Sequence, residues 1–240
     1  MYTTSKAIVL RSIRYSEADL IAKCYTESDG LKSYMLKGVL KTKKGKIKAA
    51  MFQPFSQLEI IARHKNKGTL EYIKEAKITA INPGIRENVQ KASMAILLAE
   101  VIQNAIQEEE QNTALFHFLE EQISWLEGSA KFANFHLLFL VKLSLYLGIQ
   151  PDISSAPNAP FFNLRKGQFE AHEADKYAVA GDNCELLKKL LTLDQKELDT
   201  LKLNQEKRQR FMLFILSYYQ YQLPGFRQPK SLEVLTQLFV

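Results

Sequence analysis

Gln57-Leu58-Glu59-Ile60 and, a few residues on, Thr69-Leu70-Glu71-Tyr72 alternate polar and apolar side chains. A period of two sends successive side chains to opposite faces of a strand, so each stretch has one wet face and one buried face. Both lie in longer runs rich in β-branched and aromatic residues, Phe52–Arg63 and Thr69–Ile78, separated by the turn signal Asn66-Lys67-Gly68. Toward the N-terminus the same texture recurs in Ala7–Leu10, Leu20–Tyr25 and Ser33–Val39. The breaks between these fall at Tyr15-Ser16-Glu17, at Ser28-Asp29-Gly30 and in the lysine- and glycine-rich stretch 41–48. Five strands without a helical pattern predict a small closed barrel over residues 1–80. An OB-fold, a habitual binder of single strands, is one such barrel, and an SH3-like barrel matches the same pattern.

At Asn82-Pro83 the period changes. Met94, Leu97, Leu98, Val101, Ile102 and Ala105 recur at helical spacing, followed by Leu115, Phe118, Leu119, Ile123 and Leu126 in a segment that stops at Gly128. Residues 131–147 and Phe211–Leu223 are apolar nearly all round, which predicts two central, neighbouring helices of a bundle. Shorter helices are expected over Asp194–Leu203 and Ser231–Phe239. Pro151, Pro157, Pro160, Gly167 and Gly181 interrupt residues 149–182. There, Phe161–Leu164 and Gln168–Glu170 flank Arg165-Lys166-Gly167 as a small hairpin. The predicted class is α+β: a five-stranded β-barrel over 1–80, then an all-α bundle over 81–240 with a hairpin insertion.

Charge follows the same division. The 240 residues carry a formal +6, but residues 1–80 hold 16 Lys and Arg against 7 Asp and Glu, +9, whereas the remainder hold 16 against 19, −3. A basic excess confined to one third of the chain points to an anionic partner for that third. Its densest part is Lys37, Lys41, Lys43, Lys44, Lys46 and Lys48, interleaved with Gly38 and Gly45. Phosphates relieve the repulsion of such a loop, and binding them releases condensed counterions. Lysine has no fixed bidentate geometry, so the loop supplies affinity without reading sequence. Arg11, Arg14, Lys32, Arg63, Lys65 and Lys67 extend the patch if the barrel closes. Tyr15, Tyr34 and Phe52 are the aromatic groups available for base stacking, although Phe52 and Phe55 also suit a core.

Several classes are excluded. Cys24 and Cys184 make no disulfide framework. The N-terminus lacks a signal core, and the greasiest run, Leu137–Leu147, is shorter than the roughly 20 residues that span a bilayer. No phosphate-loop, zincin or nucleophile-elbow motif occurs. His64, His117, His136 and His172 share no metal spacing, and His136 is expected in the core. The expectation is a reduced cytoplasmic protein without a cofactor.

The order and spacing of further short segments resemble the RecO family of recombination mediators. They are Lys6-Ala7-Ile8-Val9-Leu10-Arg11, Tyr15-Ser16-Glu17-Ala18-Asp19, Tyr25-Thr26-Glu27-Ser28-Asp29-Gly30-Leu31, Leu36-Lys37-Gly38-Val39 and Gln53-Pro54-Phe55. The resemblance continues through Tyr146–Asp152 at a helix exit, Phe161-Phe162-Asn163-Leu164 with Gly167, and Leu223-Pro224-Gly225-Phe226-Arg227 before Lys230-Ser231-Leu232. It implies an OB-fold followed by a helical domain, binding to single- and double-stranded DNA, and strand annealing. It also implies partnership with RecR, contact with single-stranded-DNA-binding protein, help in loading RecA, and a place in the nucleoid. Many members carry four cysteines suited to tetrahedral zinc. Here Asp152–Asn158 and Phe169–Asp175 contain none, and His172 with Cys184 does not make a structural site, so residues 149–182 stand in place of the zinc finger, with Phe161, Phe162, Leu164 and Phe169 holding the hairpin. For the acidic, aromatic-ended tail of single-stranded-DNA-binding protein the candidates are Arg227 and Lys230, or Lys207, Arg208 and Arg210.

Three other readings remain open from the residues alone. One is an RNA-binding barrel module. Another is a divalent-metal nuclease using Glu17, Asp19 and Asp29. The third is a scaffold whose helical domain alone matters, with the basic barrel incidental.

Overall fold

The computed structural model describes residues 2–41, 46–64, 70–106, 110–154 and 158–233. The first strands are β1 (Tyr2–Arg14), β2 (Leu20–Thr26), β3 (Gly30–Leu36), β4 (Gln57–Arg63) and β5 (Glu71–Ala80), closed into a barrel in the order β1-β2-β3-β5-β4. All pairs are antiparallel except β3 with β5. The first strand closes the barrel by serving two partners: Tyr2–Ile8 pairs with β4, and Ala7–Arg14 pairs with β2. Between Val9 and Arg11 its register shifts, and a bulge of this kind bends the strand between its two partners.

Inside the barrel lie Ala7, Val9, Ala22, Cys24, Tyr34, Leu36, Phe52, Leu58, Ile60 and Ala62. The Cys24 thiol is pushed up to about 12 by burial, so it is a packing group. Both Phe52 and Phe55 are buried. Residues 52–56 leave strand geometry, because Phe55 has φ 65° and its N–H donates to Val9 O at the bulge. In β5 the buried face carries Glu71 and Ile73, and the wet face carries Tyr72 and Lys74.

The segment after the barrel forms α1 (Pro83–Glu87), α2 (Val89–Ala105) and α3 (Thr113–Gly128). Glu127 accepts from Gly84 N and Ile85 N, tying α3 to the free N–H groups of α1. A Cβ on Gly84 would come within 2.9 Å of Glu127 O. One side of the barrel is covered: α2 packs on β1, the Tyr25 ring stacks on Phe116 at 6.3 Å, and Lys6 pairs with Glu120 at 3.2 Å. Residues 1–128 therefore make one compact unit and residues 129–240 a second, although the sequence period changes near residue 80.

The second unit contains α4 (Phe135–Tyr146), α5 (Asp182–Thr192), α6 (Gln205–Gln222) and a small sheet of β6 (Phe161–Asn163), β7 (Gln168–Glu170) and β8 (Ala178–Ala180) in the order β7-β6-β8. The two all-apolar helices are neighbours, and Tyr219 Oη donates to Leu140 O at 2.7 Å. Phe162, fully buried, meets Phe169, Phe214 and Tyr218 with ring centroids 4.9–6.0 Å apart. Leu164 and Phe169 are buried as well, whereas Phe161 is half-buried. Buried Asn163 accepts from Arg165 N and Lys166 N and donates to Glu170 and Asp175, which fixes the hairpin turn. The expected helix at Asp194–Leu203 is a 3-10 turn, Gln195–Thr200. Most of the one expected at Ser231–Phe239 lies outside the described residues.

Candidate nucleic-acid interface

The outer surface of the barrel carries a row of outward side chains defined by strand register. It runs Tyr2↔Arg63↔Tyr72↔Met35↔Ile21↔Ile13, crossing β1, β4, β5, β3 and β2 and returning to β1. It leaves β1 at Tyr2 and returns at Ile13, the stagger of a sheared, closed barrel. Three members are large and exposed: Tyr2 55%, Tyr72 44% and Ile13 42%. Each exposed tyrosine lies under a cation. Lys37 Nζ sits 5.3 Å from the Tyr72 ring centroid, and Lys74 Nζ sits 5.2 Å from that of Tyr2. Sequence reading passed over Tyr2, Tyr72 and Lys74; the signal for the last two was the alternation through β5.

At one end of this row two connections are stitched together. The turn from β1 to β2 is closed by Tyr15 N to Asp19 O and by the Ser16 hydroxyl accepting from Ala18 N and Asp19 N. Asp19 Oδ1 accepts from Gly38 N at 2.8 Å, and Leu40 N donates to Ala18 O at 2.9 Å. Gly38 has φ 70°, a left-handed conformation that suits glycine. The Gly38 N–H and the Ser16 hydroxyl, with Lys37 and Lys41 nearby, hold the Asp19 carboxyl below the usual carboxylate range. The start of the lysine loop is thus anchored to the turn carrying Tyr15, which is 63% exposed.

Lys37, Lys41, Lys46 and Lys48 are exposed, as are Arg11, Arg14 and Arg63. Arg14 folds onto its own turn, donating to Ser16 O and Glu17 O, and Arg11 sits opposite Lys23 on β2. Lys43, Lys44, Lys65 and Lys67 lie outside the described residues. Two expectations meet a different placement. Lys32 is only 5% exposed, because it shares the inward face of β3 with Tyr34. Tyr34 is fully buried, with its hydroxyl 2.8 Å from His64 Nε2, and is no stacking platform.

Between β3 and β5, below the start of the lysine loop, is a hollow of about 260 Å³. Its walls are Met35, Val39, Ile47 and Ile73, with Lys37 and Tyr72 also lining it.

The three acidic residues considered for metal binding do not converge. Glu17 pairs with Lys41 and Asp19 holds Gly38, while Asp29 lies 3.0 Å from His64 Nδ1 at the far end of β2. Seven strand residues separate the ends, about 20 Å. Among the described residues no three potential ligands form a metal-sized group, and no helix is long and apolar enough to cross a membrane.

In the second unit, Lys207 pairs with Asp182 at 3.3 Å and Arg210 with Glu206 at 3.3 Å, while half-buried Arg208 donates to Leu203 O. Arg227 and Lys230 are exposed. His136 is 2% exposed and is a core residue.

Two family profiles account for the chain. One, described as Recombination protein O N terminal, matches residues 1–82, and the other, Recombination protein O C terminal, matches residues 86–233. Among curated proteins the chain is 47% identical to a DNA repair protein RecO of Christiangramia forsetii and 43% identical to one of Flavobacterium psychrophilum. It is 32% identical to one of Bacteroides fragilis, and every one of these matches covers both chains in full. The chain, an OB-fold barrel with a basic, tyrosine-bearing outer surface followed by a helical unit, therefore belongs to the RecO family of DNA repair proteins.

Proposed function

We propose that this chain anneals complementary DNA strands and helps load RecA onto DNA covered by single-stranded-DNA-binding protein. The observation that carries the reading is the set of exposed cations and exposed aromatic rings on the outer surface of the barrel. Lys37, Lys41, Lys46 and Lys48, with Arg11, Arg14 and Arg63, track phosphates, and Lys43, Lys44 and Lys65 adjoin them in sequence. Neutralising two backbones at once lowers the repulsion between strands. Base pairing then supplies the sequence recognition, so no side chain has to read a base edge and none has to make or break a bond.

The partner surface belongs to the second unit. Exposed Arg227 and Lys230, or Lys207, Arg208 and Arg210, are the cations that meet the acidic tail of single-stranded-DNA-binding protein. RecR is the expected companion, and the cytoplasmic nucleoid the expected location.

The test is annealing of complementary oligonucleotides coated with single-stranded-DNA-binding protein, without ATP. It compares the native chain with a variant in which Lys41, Lys43, Lys44 and Lys46 are all alanine. Annealing by the native chain that collapses in the variant is the expected result. No annealing by the native chain overturns the reading.

A further inference from the structure

We infer that the hollow beside Tyr72 receives one unpaired base of a single strand, stacked on the Tyr72 ring. The inference rests on the DNA-binding reading above and gives the barrel surface a means of telling single strands from duplex.

Three features select this occupant. At about 260 Å³ the hollow is smaller than the ~300–1,000 Å³ of sites that enclose a whole small ligand, so it suits one planar ring system and leaves sugar and phosphate outside. Its walls are aliphatic, from Met35, Val39, Ile47 and Ile73, so the base is recognised by its flat apolar faces and not by its hydrogen-bonding edge. Its remaining lining includes one aromatic ring and one cation: Tyr72, 44% exposed, and Lys37, with Nζ 5.3 Å from that ring. A base and the phosphate attached to it need those two groups side by side. The surroundings repeat the sign, since Arg63 is the register neighbour of Tyr72 on β4 and Lys46 and Lys48 flank Ile47. An acidic or purely apolar partner segment has no use for both the ring and this density of positive charge.

A base in duplex DNA is stacked on both faces and cannot enter. An unpaired base enters by exchanging its stacking in the strand for Tyr72, and any of the four can do so because every base has a π-face. Stacking tolerates all sequences, which a protein that anneals arbitrary strands requires. Tyr2, with Lys74 over its ring, lies two strands away in the same register row, about 10 Å across the sheet.

The experiment uses the full-length chain, a single-stranded oligonucleotide containing one 2-aminopurine, and a duplex of the same length. Three variants are compared: Tyr72→Ala, Tyr72→Phe, and Ile47→Trp, which fills the hollow. Native protein should bind both DNAs and change the fluorescence of the single strand. Tyr72→Ala and Ile47→Trp should weaken single-strand binding on the order of 10-fold and remove that change, leaving duplex affinity as in the native chain. Tyr72→Phe should keep both. Unchanged duplex binding also reports that each variant is folded, and Tyr72→Ala, at an exposed position, covers the case in which Ile47→Trp is not. Equal weakening on both DNAs, or single-strand binding by Tyr72→Ala as tight as native, overturns the base pocket. If the native chain binds neither DNA, the parent reading falls instead.

Discussion

Replacing Lys41, Lys46 and Lys48 together with alanine should change the salt dependence of DNA binding by a calculable amount. All three are exposed, and the one ion pair among them, Lys41 with Glu17 at 3.2 Å, joins side chains 64% and 88% exposed. A pair that open contributes little to stability, so the variant should fold as the native chain does. Each phosphate contact contributes about 0.7 to the slope of log affinity against log salt for single strands and about 0.9 for duplex. Three lost contacts lower the slope by about 2.1 and about 2.7, respectively. Between 50 and 200 mM salt the native chain should therefore lose roughly 20-fold more single-strand affinity than the variant, and roughly 40-fold more duplex affinity. Fluorescence anisotropy titrations at four or five salt concentrations read both slopes. Parallel slopes for variant and native chain would mean that these lysines touch no phosphate, and the argument from the lysine loop would be wrong.

Three further outcomes follow from the geometry. The pKa of buried His136 falls to about 3, chiefly through burial and then through Arg208, so the unfolded chain protonates near 6.5 while the folded chain stays neutral. Stability from His136 is complete above 6.5 and drains as pH falls toward 3, by about 2 kcal/mol at pH 5. Urea midpoints at pH 7 and 5 should thus separate the native chain from His136→Leu, and identical pH losses in the two would refute it. Gly167, at φ 70°, faces Tyr218, and a Cβ there would lie 2.8 Å from the tyrosine hydroxyl that donates to Ile149 O. Gly167→Ala should cost about 2 kcal/mol or more, and a urea midpoint equivalent to less than about 0.5 kcal/mol would contradict the contact. Asp19→Ala removes the acceptor of Gly38 N–H, so exchange of that amide should accelerate at neutral pH. Because the Asp19 carboxyl titrates below 3.8, the same loosening should appear in the native chain only as pH falls through that lower value. An amide equally protected in Asp19→Ala would show that the anchor is elsewhere.

The strands were legible where packing on one face imposed a period, and illegible where pairing alone made the strand. Leu20–Tyr25 was read almost to its ends because Leu20, Ala22 and Cys24 enter the barrel in alternation. Tyr2–Lys6 carries no such pattern. It is strand because β4 lies beside it, a partner more than fifty residues away. Lys32 shows a period of two available but unused, since it stands two residues before Tyr34 on the same face. Charge suggested a wet position, and the face decided otherwise. The lysine loop was legible as composition, whereas the hollow was not, because Met35, Ile47 and Tyr72 come from three separate segments that meet only through the parallel pairing of β3 with β5. The attachment of α1–α3 to the barrel escaped for the same reason, since Gly84–Glu127 and Tyr25–Phe116 are contacts between distant positions.

The cations over Tyr2 and Tyr72 bear on how one surface serves both the free and the bound protein. Exposed aromatic rings grouped on one face invite association, yet a surface that stacks bases needs them exposed. Lys37 and Lys74 reconcile the two demands, because an ammonium over a ring satisfies its negative face while remaining solvated. Under the proposed base stacking, a base replacing the ammonium would leave the displaced charge within reach of the phosphate that arrives with the base. The exchange trades one weak interaction for stacking and a phosphate contact made together, so neither group has to be stripped of its partner before the DNA arrives. On the proposed reading, a surface organised this way would hold strands loosely and without sequence preference, so that two partly held strands could slide past one another until their bases pair.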